Sequence, residues 1–260
     1  MQKIRRIIIF ISLFLFPLTF NYLSPYISLS AAFTGVVAGS VIVFALLFLS
    51  GMFLGRSWCG WCCPIAGLSE MGALINNRPV PAKKLAIIRY IIFAVWFAVL
   101  AVGFVLTGGI KGVEPFHMTE HLVSIDEPVK FINYYMVLAV LFVLTVAVGR
   151  RGACHSICWI APFLTAGELA GLALHIPQVR ILSVSSNCID CKKCNSKCPM
   201  SIDVSGEIKS GTIKSLDCIR CGECADNCPR KIPRHGYTTR MISDRIPERM
   251  NKVAVKPSSD

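Results

Sequence analysis

Residues 188–199 read CIDCKKCNSKCP and residues 218–229 read CIRCGECADNCP. Each run sets four cysteines at the spacing C-x2-C-x2-C-x3-C and closes with proline. Intervals this short let three thiolates converge on one corner of a metal centre, while the fourth lies beyond a turn. Pro199 and Pro229 stop the chain from continuing as regular helix, and Gly222 permits close approach of backbone to the centre. Paired C-x2-C units also bind zinc, but two identical four-cysteine runs, each ending in proline, point to iron–sulfur chemistry. Earlier in the chain stand GRSWCGWCCP (55–64) and GRRGACHSIC (149–158). There Cys59 and Cys63, and again Cys154 and Cys158, repeat a C-x3-C spacing after Gly-Arg and a long apolar run. The total of 13 cysteines is odd, and at these spacings it reads as metal ligation in a reducing compartment rather than as a disulfide framework.

The elements that must hold these residues are not those of a soluble protein. The chain has 260 residues, is 54% hydrophobic and only 16% charged, and its mean hydropathy is +0.59, a membrane-protein composition. Charge is segregated: from Arg180 onward there are 15 Lys/Arg against 9 Asp/Glu, and before it 12 against 6. The formal net charge of +12 falls to about +8 once two thiolate-bound four-iron clusters are counted. A basic cytoplasmic surface suits anionic lipid. No nucleic-acid module is present, so the expected partners are membrane and protein, with no nucleic acid. The absence of a Rossmann glycine fingerprint, a P-loop or a nucleophile–base pair excludes the commoner nucleotide and hydrolytic chemistries.

Four apolar segments approach or exceed the roughly 20 residues a membrane-crossing helix needs: near Ile7–Leu29, Ala31–Leu54, Ala86–Thr107 and Ile132–Val148. Pro17 and the polar run from Asn21 to Pro25 interrupt the first. Lys3, Arg5 and Arg6 before an apolar core also fit a signal peptide, a reading opposed by the immediate start of the second segment. Lys and Arg gather before the first span, between the second and third, and after the fourth. The positive-inside rule therefore puts both termini and both C-x3-C pairs in the cytoplasm.

An internal repeat emerges. Each half has two spans, then Gly-Arg, then C-x3-C, then a moderately apolar stretch with one glutamate: Pro64–Ile75 with Glu70, and Trp159–Ile176 with Glu168. These stretches are expected as interfacial helices under the bundle, with a fifth span at Ile157–Ile176 as the rival. Packed about a pseudo-two-fold, the halves would bring Cys59, Cys63, Cys154 and Cys158 together as a candidate third metal centre, its charge offset by Arg56, Arg150 and Arg151. A redox dithiol pair and simple packing are the competing readings, and Cys62 is a spare or a C-x2-C alternative. His117-x3-His121 has metal-compatible spacing but stands in an ordinary acidic loop. Glu70 and Glu168 read as snorkelling or capping carboxylates ahead of proton relays, His155 and His175 as packing residues, and Trp58, Trp61 and Trp159 as an aromatic belt. The basic tail Arg234–Asp260 would lie on anionic lipid or hang loose.

The two C-terminal runs resemble those of bacterial two-cluster ferredoxins, in which the fourth cysteine ligates the other cluster. That resemblance implies one [4Fe–4S] cluster on Cys188, Cys191, Cys194 and Cys228, and a second on Cys218, Cys221, Cys224 and Cys198. With its apolar spans and C-x3-C pairs, the whole chain resembles the NapH-like membrane iron–sulfur family, named for the quinol dehydrogenase component of periplasmic nitrate reductase systems. Cys59-Gly-Trp-Cys-Cys63-Pro64 matches the family's C-x3-C-P, whereas Cys158 is followed by Trp159. The resemblance implies an α-helical membrane protein of the bacterial inner membrane. Four spans in two pseudo-repeats (1–182) would precede an α+β two-cluster ferredoxin domain (183–233) on the cytoplasmic side and a basic tail (234–260). It further implies a quinol dehydrogenase component or electron-transfer subunit. Electrons would pass between the quinone pool, or a membrane redox partner, and another iron–sulfur or cytochrome protein. A maturation factor reducing a metal centre under assembly and a redox-sensing regulator are the alternatives.

Overall fold

The structure is a computed structural model that describes residues 1–117, 124–125, 128–183 and 188–238. His121 and residues 239–260 of the basic tail lie outside the described residues. The first apolar segment is not one helix. It comprises α1 (Gln2–Phe14), α2 (Phe16–Thr19), a 3-10 turn at Asn21–Leu23 and α3 (Pro25–Thr34). Pro17 and Pro25 each sit in the opening turn of the helix they begin, where a missing N–H costs nothing. The second segment divides into the end of α3, the short strand β1 (Val36–Ala38) and α4 (Gly39–Leu54). Strand β1 pairs in parallel with β2 (Gly112–Glu114). The third and fourth segments are the unbroken helices α7 (Ala82–Leu106) and α8 (Pro128–Val148). Both are long and apolar enough to cross a membrane. They leave Ile87, Ile91, Val95, Val102, Ile132 and Val140 exposed.

Between these lie two helix pairs of like build: α5 (Ser57–Trp61) with α6 (Pro64–Ile75), and α9 (Gly152–Ser156) with α10 (Ile160–Ala173). The expectation that α6 and α10 lie beneath the bundle is corrected by their contacts. Helix α10 packs lengthwise on α4. Phe44 stacks on Phe163 with ring centroids 4.9 Å apart, Phe48 meets Gly167, and Met52 meets Gly171, so the two helices run in the same direction. A β-carbon on Gly167 would stand 2.0 Å from the Phe48 carbonyl oxygen, a backbone approach that only glycine permits. Helix α6 packs between α1 and α8, antiparallel to α1, with Gly67 against Ile9 and Leu13 and Glu70 against Arg5. Each half's short helix is thus seated on the long helix of the other half.

The C-terminal part is bracketed by the antiparallel strands β3 (Gln178–Leu182) and β4 (Arg234–Thr238), in register from Gln178 opposite Thr238 to Leu182 opposite Arg234. Between them come the short helices α11 (Lys193–Lys197), α12 (Val204–Ile208) and α13 (Glu223–Asp226). Asp203 caps α12 by accepting a hydrogen bond from the Gly206 amide at 3.2 Å. Ile181, Met200, Ile202, Val204, Ile213 and Ile219 form a buried core.

Candidate metal centres

The two four-cysteine runs adopt the same backbone. Left-handed residues occur at Asp190 and Arg220, at Lys192 and Gly222, and at Ser201 and Lys231, each pair 30 positions apart, as the runs are. Alternating right- and left-handed residues turns successive amides to one side of the chain, a nest that stabilises negative charge and recurs at iron–sulfur sites. Cys188, Cys191, Cys194 and Cys228 line one recess of about 390 Å³, counting space open to solvent. Cys198, Cys218, Cys221 and Cys224 line a second of about 330 Å³. The structure therefore exchanges the fourth cysteine of each run into the other's recess. Cys191 is exposed, whereas Cys198, Cys221 and Cys224 are buried, so the first recess faces outward and the second faces the helices.

Burial raises the thiols of the second recess, Cys198, Cys218 and Cys221 each to about 11. A bound metal must displace those protons, which it does by stabilising the thiolate. Apolar walls at Ile181, Met200, Ile202 and Ile219 restrict water. Four thiols around each recess are the donor set a four-iron cluster takes.

The second recess is fastened to the helices by three sets of buried charges that the sequence reading did not pair. On α10, Glu168 is wholly buried and accepts from Arg180 at 2.7 Å and from Arg220 at 2.6 Å. Asp217 accepts from Arg56 at 2.7 Å and Arg89 at 2.9 Å. Arg5 joins Glu70 at 3.1 Å and Glu223 at 3.0 Å. Burial works to raise the carboxyls of Asp217 and Glu70, but the neighbouring guanidiniums outweigh it and hold both below their ordinary range. Glu70 and Glu168 are therefore ion-pair partners, not snorkelling carboxylates. The expected aromatic belt is also partly spent: Trp61 donates to the Arg220 carbonyl at 3.3 Å and Trp159 to the Leu23 carbonyl at 2.8 Å. His117 stands 3.3 Å from Glu114.

Cys59, Cys63, Cys154 and Cys158 are all buried, with Cys62 exposed. The two stretches match in backbone as well as spacing. Cys62 follows α5 with φ −120° and Ile157 follows α9 with φ −121°, so Cys62 occupies the position of Ile157. The Ala66 amide donates to the Cys63 carbonyl at 3.0 Å. The Gly-Arg pairs have a local cause, since Gly55 and Gly149 take positive φ, 53° and 121°, where the long helices α4 and α8 end. His155 is fully buried, and burial pushes it down to about 4, so it stays neutral.

Comparison with known proteins agrees with this chemistry. Residues 187–232 match the 4Fe-4S dicluster domain family, and residues 36–81, which span β1 to α6, match a 4Fe-4S binding domain family. The chain is 22% identical over 200 residues to the electron transport protein YccM of Escherichia coli, covering 69% of this chain and 51% of that one. It is 26% identical over 184 residues to the methylamine utilization ferredoxin-type protein MauN of Methylobacillus flagellatus, covering 67% of this chain and 60% of that one. The match thus spans between half and two thirds of these relatives' length. No solved structure matches. The chain carries two ferredoxin-type iron–sulfur domains and is similar to electron-transport proteins.

Proposed function

We propose that the chain is a membrane-anchored electron-transfer protein of the NapH-like kind. Cys188, Cys191, Cys194 and Cys228 hold one [4Fe–4S] cluster, and Cys198, Cys218, Cys221 and Cys224 hold the other. The observation that carries this reading is the exchange of the fourth cysteines into two recesses, one open to solvent and one seated on the helices. Such clusters, when bound, supply single-electron redox chemistry over a wide range of potentials. The residues around them do the rest. The nests aim amides at sulfur, the isoleucine walls keep water out, and the arginine–carboxylate pairs hold the second recess in fixed register with the bundle. The outer recess, rimmed by Lys192, Lys193 and Arg230, is the docking end for a soluble redox protein. The exposed apolar faces of α7 and α8 meet lipid, with the broken α1–α3 run and α4 completing four crossings and both termini on the cytoplasmic side. The membrane end exchanges electrons with the quinone pool or a membrane redox partner.

The test is anaerobic EPR of the reduced protein. Cys191→Ser and Cys221→Ser should each abolish a different four-iron signal while the chain stays in the membrane, because the apolar helices do not depend on the thiolate. A reduced spectrum unchanged by both substitutions would sink the assignment.

A further inference from the structure

We propose that Cys59, Cys63, Cys154 and Cys158 together hold a third iron–sulfur centre, built jointly by the two halves of the helical bundle. The proposal rests on the electron-transfer reading for its chemistry but on separate residues for its site. The half-exchange of the fold brings the pairs together. Cys63 and Cys154 share one buried cluster, where the Ser69 hydroxyl lies 3.7 Å from the Cys154 sulfur, and Cys59 and Cys158 share another. All four are buried, between 4% and 8% exposed. The stretch matching a 4Fe-4S binding domain, residues 36–81, contains Cys59, Cys62 and Cys63. Cys62 points to solvent, so that half alone offers two inward thiols, and a four-thiolate set needs Cys154 and Cys158.

A second observation, independent of the cysteines, calls for an anion here. Four arginines, Arg5, Arg56, Arg89 and Arg151, are each 3% exposed or less. Among the described residues, the carboxylates that pair with them are three: Glu70, Glu223 and Asp217. Burying an unmatched guanidinium is costly. These four converge on the two motifs. Arg151 donates to the Cys59 carbonyl at 3.0 Å, Arg89 to the Cys154 carbonyl at 3.2 Å and Arg5 to the Gly60 carbonyl at 3.4 Å, while the Arg56 carbonyl accepts from the Cys59 amide at 3.1 Å. Among the described residues, Nε of Arg56, Nε of Arg89 and both ring nitrogens of His155 have no hydrogen-bond partner, and Nη2 of Arg151 meets only Glu70, at 3.6 Å. A thiolate-bound cluster supplies the missing negative charge and the acceptor sulfurs.

The rival occupants fit less well. Zinc needs all its sulfurs about 2.3 Å from one point and would show as one zinc per chain with no extra sulfide. A redox dithiol needs exposure to its partner, which four buried cysteines lack. The site also adjoins the second ferredoxin recess. A β-carbon on Gly60 would stand 2.3 Å from the Ile219 carbonyl oxygen and 3.6 Å from Cα of Cys221.

The deciding measurement is iron, acid-labile sulfide and zinc per chain after anaerobic purification. The two ferredoxin clusters account for about 8 irons, and the shared centre raises this to about 12 if four-iron or about 10 if two-iron. Cys59→Ser and Cys154→Ser should each remove the same extra iron and sulfide and leave both ferredoxin EPR signals, while Cys62→Ser keeps the full complement. Wild-type protein with both ferredoxin signals intact, iron near 8 and no further metal would overturn the proposal, as would one zinc in place of the extra iron. If a serine variant fails to accumulate, the wild-type ratio decides alone. Failure of the ferredoxin reading looks different, because it would show as Cys191→Ser and Cys221→Ser leaving the spectrum untouched.

Discussion

Glu168→Gln tests whether buried charge fastens the ferredoxin part to the helices. Glu168 is wholly buried, and its Oε1 accepts from Arg180 at 2.7 Å and Arg220 at 2.6 Å. Arg180 belongs to β3 and Arg220 lies between Cys218 and Cys221, so one carboxylate holds both a strand and the turn of the second recess. The amide is nearly isosteric and keeps an acceptor oxygen, but it leaves two buried guanidiniums without a counter-charge. Breaking a buried pair from one side costs about 3–5 kcal/mol. Because the acceptor oxygen survives and Oε2 has no partner among the described residues, the lower figure, about 3 kcal/mol, applies. At about 1.4 kcal/mol per tenfold, that corresponds to about 150-fold in the opening equilibrium. Amide hydrogen exchange of the cluster-loaded protein in detergent should therefore quicken by about two orders of magnitude in Gln178–Leu182 and Cys218–Cys224, with α7 and α8 unchanged. Adding Arg180→Met, which removes one stranded charge, should restore much of the protection. Exchange in both segments within about threefold of wild type would refute the reasoning, because Glu168 would then not be holding the domain closed.

Two further outcomes are expected. In Gly60→Ala the new β-carbon meets the Ile219 carbonyl oxygen at 2.3 Å where real contacts stay above 3.0 Å, so the Cys218–Cys221 turn must shift, at a cost of about 1–3 kcal/mol. EPR should show altered g-values for one four-iron signal and none for the other, and superimposable spectra would contradict the close seat. Topology reporters fused after Val148 should read cytoplasmic and one fused near Gly109 should read outside; the reverse result would invert the proposed orientation.

The cysteine geometry was legible in the sequence because it is local. Fixed intervals of two and three residues force the turns, and the left-handed positions recur with the same 30-residue period as the cysteines. The break at Pro17 and the long helices α7 and α8 were readable for the same reason. Where α6 and α10 lie was not readable. Length and hydropathy are equally consistent with a helix beneath a bundle and one inside it, and the choice is made by close backbone approaches such as Gly167 on Phe48. The charge pairs were hidden by distance along the chain: Arg5 finds Glu223 and Arg89 finds Asp217, and no periodicity connects them. Arg5 and Arg89 stand among the basic residues at span ends, where sequence alone suggests solvent, yet each is at most 1% exposed.

The exchange of short helices between halves has a consequence for how the chain is made. Helix α6 ends at Ile75, but its partner α8 ends at Val148; helix α4 ends at Leu54, but α10, which covers it, ends at Ala173. At about 5–20 residues per second, the ribosome leaves α6 without α8 for roughly 4–15 s and α4 without α10 for roughly 6–24 s. Throughout that interval Gly51 and the neighbouring backbone of α4 stand uncovered. The first half therefore emerges as an open template and becomes a finished surface only when the second half folds onto it. A nascent chain arrested on the ribosome before residue 149 should present Cys59 and Cys63 that react freely with thiol reagents, whereas the full-length protein shields them.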